Sequence, residues 1–204
     1  MREVFGDGRI VALKSGGFGI EATGLRTPAQ MLPGTNGAPV PDLSQHVGMV
    51  IAYTGVLQSP GDNLETLAFH YADLQLPNDE QPAVSPMWAV VSGNLGKAPE
   101  ANPKGDRLSA SIAYDKIGDA TSWLRVSAYT YFSISDLFAG LEGGAGLVAY
   151  GALESYDYNG KPRVQLALRG LQLLARSAAP KPPTVLGSAR SESDIAAHAF
   201  DDAA

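Results

Sequence analysis

Trp123-Leu-Arg-Val-Ser-Ala-Tyr-Thr-Tyr131 is the stretch on which the reading of this 204-residue chain turns. A strand points successive side chains to opposite faces. Leu124, Val126 and Ala128 then share one face, suited to a core. Trp123, Arg125, Ser127, Tyr129 and Tyr131 share the other, where rings alternate with a cation and a small hydroxyl. A flat aromatic face that carries an arginine offers stacking platforms and charge to a single nucleic-acid strand. A second reading buries both faces between layers, with Arg125 in an ion pair, because aromatics are ordinary core residues.

Working outward, the chain reads as a succession of short strands. The sequence holds 23 Gly and 14 Pro, no Cys, and 45% hydrophobic residues. That turn-rich composition favours strands over long helices. The missing cysteines exclude disulfides, thiolate metal sites and cysteine catalysis. After Trp123–Tyr131, the residues Ile134, Leu137, Phe138 and Leu141 recur at the spacing of one helical stripe. Ser133 or Ser135 is expected to cap that helix and Gly143-Gly144 to end it. Leu147–Tyr158 and Arg163–Leu174 flank Asn159-Gly160, a strong hairpin signal. Upstream, Met87–Leu95 and Leu108–Tyr114 read as strands, joined by a polar turn over Lys97–Asp106.

The block 87–176 therefore reads as three strands, a short helix and two strands, the order of an OB-fold barrel. Before it, 79–86 reads as a linker. Strands are expected at Gly8–Leu13, Phe18–Thr23, Val47–Gln58 and Leu64–Leu76, with a long irregular loop over 27–46. The tail 177–204 reads as disordered. Gly48–Ser59 and Gly146–Ser155 echo each other, as do Tyr71–Leu76 and Arg169–Leu174. The echo, about 100 residues apart, fits a duplicated domain. The expected fold is all-β: an OB-fold barrel with one short helix at 87–176, a degenerate OB-like unit at 1–78 in tandem with it, and the tail.

Charge is unevenly placed within a net of −6. Residues 1–85 carry four basic and nine acidic side chains, residues 86–176 nine and eight, and residues 177–204 two and four. A net of −6 argues against a generic nucleic-acid binder, and only the middle block lacks an acidic surplus.

Three motifs in that block resemble the bacterial single-stranded DNA-binding (SSB) proteins. Val91-Ser-Gly-Asn-Leu-Gly-Lys-Ala-Pro-Glu100 is similar to the family's first-strand pattern G-N-L-G-x-D-P-E. Thr121-Ser-Trp-Leu-Arg-Val-Ser-Ala-Tyr129 is similar to T-x-W-x-R-V-x-x-F/W. Tyr150-Gly-Ala-Leu153, Tyr158-Asn-Gly160 and Leu171-Gln-Leu-Leu174 follow the last hairpin in order and spacing. The resemblance covers residues 89–174. It implies that Trp123, Tyr129 and Tyr158 stack bases beside Arg125, with Tyr131 and Tyr156 as further rings. Lys97, Lys104, Arg107, Lys161 and Arg163 are the cations left for phosphates. Two departures stand out. Glu154 and Asp157 occupy the hairpin where the family carries Arg and Lys, and Phe200-Asp-Asp-Ala-Ala204 lacks the family's Pro-Phe tip.

The resemblance implies sequence-independent binding and protection of single-stranded DNA in replication, recombination or repair. It further implies a homo-oligomer, dimer or larger, that works in the cytoplasm at the nucleoid and meets replication or repair proteins through the tail. Trp88 and Trp123 are both expected to report binding by fluorescence quenching. A protein–protein module that keeps the barrel but has lost DNA binding is the alternative, permitted by the two acids; an RNA- or sugar-binding OB protein is a third reading. No cofactor, metal or enzymatic activity is expected. His46, His70 and His198 make no metal spacing. Gly96-Lys97-Ala98 is no Walker sequence, and no G-x-S-x-G occurs. The start, Met-Arg-Glu-Val-Phe-Gly, does not read as a signal peptide, and no run is apolar enough to span a membrane.

Overall fold

The structure, a computed structural model, describes residues 2–58, 67–77, 82–117 and 120–174. Its strands are β1 (Arg2–Ala12), β2 (Phe18–Glu21), β3 (Ala29–Leu32), β4 (Val50–Leu57), β5 (Ala68–Gln75), β6 (Met87–Leu95), β7 (Glu100–Ala101), β8 (Arg107–Ile117), β9 (Ala120–Tyr129), β10 (Gly146–Tyr158) and β11 (Lys161–Leu173). One helix, α1, spans Ile134–Ala139. The tail 177–204 and residues 79–81 of the expected linker lie outside the described residues.

The strand pairings close two rings. In the C-terminal ring β6 pairs with β10, β10 with β11, β11 with β9, β9 with β8, and β8 back with β6. Only β9 and β11 run parallel. This is the five-stranded barrel of an OB-fold, and closure removes most free edges. The N-terminal ring repeats the connectivity: β1 pairs with β4, β4 with β5, β5 in parallel with β3, β3 with β2, and β2 with β1. The rings meet where β1 pairs antiparallel with β6, from Arg2 opposite Val91 to Phe5 opposite Trp88.

The core follows strand parity. Leu124, Val126 and Ala128 of β9 are buried, as are Met87, Ala89 and Val91 of β6. Phe138 of α1 is fully buried and plugs the C-terminal ring, while Leu137 stays exposed. Gly140, not Gly143-Gly144, ends the helix, and Ser133 makes no capping bond. Ser135 Oγ instead donates to the Thr130 carbonyl, 3.3 Å away. Asn159 and Gly160 take φ of 53° and 75°, the pair of positive values that a two-residue hairpin turn needs.

In each ring the fifth strand bulges opposite a glycine of the fourth, with Arg169 the extra residue on β11 and Ala72 the extra residue on β5. Between Tyr150 and Gly151 the register with β11 slips, and between Thr54 and Gly55 the register with β5 slips. A Cβ on Gly151 would stand 2.1 Å from the Ala167 carbonyl oxygen, and one on Gly55 2.5 Å from that of His70. The close approach of the fourth and fifth strands beside each bulge therefore rests on an absent side chain.

The loop expected over 27–46 is corrected in one place. It contains β3, whose Ala29 and Met31 are buried, and a 3₁₀ turn at Ser44–His46 beside buried Leu43. Four residues between Pro28 and Pro33 are too few to show a period.

Candidate nucleic-acid interface

The outer face of the C-terminal ring is built by register. Ser111 of β8 lies opposite Arg125 of β9, Arg125 beside Gln165 of β11, and Gln165 opposite Glu154 of β10. Two residues upstream on the parallel pair stand Trp123 and Arg163, and Arg163 is opposite Tyr156. Trp123, Arg125, Tyr156, Tyr158 and Arg163 line one pocket of about 300 Å³. A neighbouring pocket of about 280 Å³ is lined by Lys97, Glu100, Asn102 and Ser109 among others. Ser111 and Arg125 line both, so the pockets form one groove across β8 and β9.

Trp123 keeps 45% of its surface exposed. Its indole lies over Gly96, where a Cβ would come within 2.6 Å of the ring. Gly93 of the same motif lets β6 approach β8, since a Cβ there would be 2.2 Å from the Ala113 carbonyl oxygen. The two motif glycines thus serve the ring closure and the tryptophan.

Arginines lie against the rings throughout. The Arg125 guanidinium is 5.1 Å from the Tyr156 centroid and donates to Ser109 Oγ at 2.8 Å. Arg163 stands 4.9 Å from the Tyr158 ring, which is 47% exposed. Arg107 stands 4.3 Å from the Tyr129 ring and also donates to its hydroxyl. Each such contact is worth about 0.5–1 kcal/mol at an exposed site, and it holds a cation over a ring face. Burial, and then the charge of Glu154, raise the Tyr129 pKa, with Arg107 opposing; the phenol stays protonated at neutral pH. Tyr131 is mostly exposed and packs 5.3 Å from Tyr129.

The lysines stand differently toward the groove, with only Lys97 lining a pocket. Lys97 pairs with Glu100 at 2.8 Å. Lys104 and Lys161 are exposed at turns and line neither pocket. Ser127, expected on the open face, is fully buried. A further cation lies against a ring outside both pockets: the Arg169 guanidinium stands 4.5 Å from the Phe132 ring.

The two acids of the last hairpin do not stand free. Glu154 accepts from Gln165 Nε2 at 2.7 Å. Asp157 pairs with Arg26 of the N-terminal ring, and that hydrogen bond, with the attendant charge, lowers its pKa below the usual carboxylate value. Trp88 belongs to another surface. It stacks 5.3 Å from Tyr150, which also faces Phe5 at 6.5 Å, on the outer side of β1, β6 and β10. Among the described residues no group of His, Asp and Glu could hold a metal ion, and no helix is long and apolar enough to cross a membrane.

No family model and no curated protein sequence matches this chain. Solved structures do. The wild-type single-stranded DNA-binding protein from Thermus aquaticus is 14% identical with a TM-score of 0.55, over 89% of this chain and 97% of that one. A deletion variant of the same protein gives 0.56 at 14% identity, over 89% and 98%. The mitochondrial single-stranded DNA-binding protein of S. cerevisiae is 19% identical with a TM-score of 0.36, over 43% of this chain and 92% of that one. At 14% identity the Thermus likeness is one of fold, and it runs through both rings.

Proposed function

We propose that this protein binds and protects single-stranded DNA without sequence preference, in replication, recombination or repair. The observation that supports the reading best is the groove itself, where Trp123 and Tyr158 are open and Arg125 and Arg163 lie against Tyr156 and Tyr158. Every base has a face to stack, so such a surface is tolerant of sequence. Paired bases in a duplex cannot offer theirs. The alternative, a barrel turned to protein binding, drew on Glu154 and Asp157, and both acids have internal partners. In this reading the rings divide the work: the C-terminal ring holds DNA, and the acidic block 1–85 serves assembly. The Phe5–Tyr150–Trp88 stack, where β1 of the acidic block meets β6 and β10 of the C-terminal ring, is the apolar surface through which two chains pair. A salt titration of oligothymidine affinity tests the reading. Three or four phosphate contacts give a log–log slope of about −2 to −3. A surface that binds no oligothymidine at low salt would refute it.

A further inference from the structure

The tip of the last hairpin reaches beyond its own barrel. β10 pairs with β6 only as far as Leu153, and β11 pairs with β9 only from Gln165. Between these points, among the described residues, the strand pairing of residues 154–164 is confined to the ribbon itself. An isolated two-stranded ribbon is marginal in water. Yet this ribbon carries Tyr156, Tyr158 and Arg163 of the groove.

Support comes from the other ring. Glu154, Tyr156 and Tyr158 point to the groove side, and Ser155 and Asp157 alternate to the rear. Both rear residues are gripped by the loop between β2 and β3. The Arg26 guanidinium donates to both carboxylate oxygens of Asp157, one at 2.7 Å. The Arg26 backbone N–H donates to Ser155 Oγ at 3.0 Å. The Ser155 N–H donates to the Gly24 carbonyl at 2.9 Å. Gly24 turns the loop toward the hairpin with φ of 89°, a value that disfavours side chains. A planar fork on a carboxylate fixes orientation as well as distance.

We propose that the Gly24–Arg26 loop is a latch that positions the tip of the β10–β11 hairpin, with Arg26 and Asp157 as its positioning residues. Resting on the single-stranded DNA reading above, the latch holds Tyr156 and Tyr158 alongside Trp123, so one strand can stack on all three. Asp157 then favours binding although its charge has the sign of a phosphate.

Asp157→Asn separates this role from simple repulsion. Repulsion alone predicts that removing the charge tightens binding; the latch predicts that it weakens binding. Two readouts on the full chain are compared: oligothymidine affinity, and hydrogen exchange of the amides of residues 155–163 without DNA. Asp157→Asn should bind two- to fivefold more weakly and exchange faster at the tip. The reversed pair, Arg26→Asp with Asp157→Arg, should restore slow exchange and bring affinity to within twofold of the native chain. Tighter or unchanged binding by Asp157→Asn overturns the positioning role, and unchanged exchange overturns the latch. A native chain that fails to bind oligothymidine sinks the DNA reading alone, and the exchange comparison still decides the latch.

Discussion

Trp123 combines features that rarely coexist in a core residue: nearly half of it is open, and its ring lies on a glycine. Removing it should therefore cost binding and spare the fold. Trp123→Ala should weaken oligothymidine binding by about 1–3 kcal/mol, with the melting temperature within a few degrees of the parent. A collapse in melting temperature would make Trp123 a structural residue. At this scale parity made much of the site legible, because a strand face follows from residue spacing alone. Parity says nothing about what covers a face, so Ser127 looked available and is buried. Nor does it reveal partners distant in the chain. Asp157 looked like a defect in a phosphate groove because nothing local announces Arg26.

The fourth and fifth strands of each ring come closest at a bulge, and a glycine of the fourth strand allows it. Gly151→Ala and Gly55→Ala each drive a methyl into a backbone oxygen of the fifth strand. Each should cost about 1–3 kcal/mol of stability, the scale of overpacking, measured by thermal or urea unfolding; a neutral result would show that the bulges tolerate a side chain. The echo between Gly48–Ser59 and Gly146–Ser155 includes Gly55 and Gly151, which both stand opposite a bulge of the fifth strand. Strand β3 was not readable, since four residues present only two inward positions. The hairpin also has a pH signature. The folded pKa of Asp157 is lowered, so its contribution is present above the ordinary carboxylate pKa and lost as pH falls through the lowered folded value. A carboxyl titration followed by NMR should place the Asp157 midpoint below the ordinary Asp value of 3.8, and in Arg26→Gln it should move up toward that value. A midpoint indifferent to Arg26 would contradict the pairing.

Across the whole molecule, charge and aromatic surface are segregated. The block 1–85 carries four basic against nine acidic side chains, while the groove lies on the block with no acidic surplus. The second aromatic surface, Phe5–Tyr150–Trp88, spans the seam between the rings. If two chains pair there, the native protein should sediment as a dimer and Tyr150→Glu as a monomer; a native monomer would remove this role from the stack. The seam was hidden in the sequence because Phe5 and Tyr150 are far apart in the chain and meet only when β1 joins β6. Trp88 and Trp123 consequently look out on different surfaces, which gives the most direct measurement of the central claim. Tryptophan emission is followed as oligothymidine, or a duplex of equal length, is added to the native chain, to Trp88→Phe and to Trp123→Phe. Binding in the groove predicts strong quenching by oligothymidine and weak quenching by duplex. The response should survive in Trp88→Phe and be lost in Trp123→Phe. Equal responses to single strand and duplex, or quenching that vanishes with Trp88 and persists without Trp123, would contradict it.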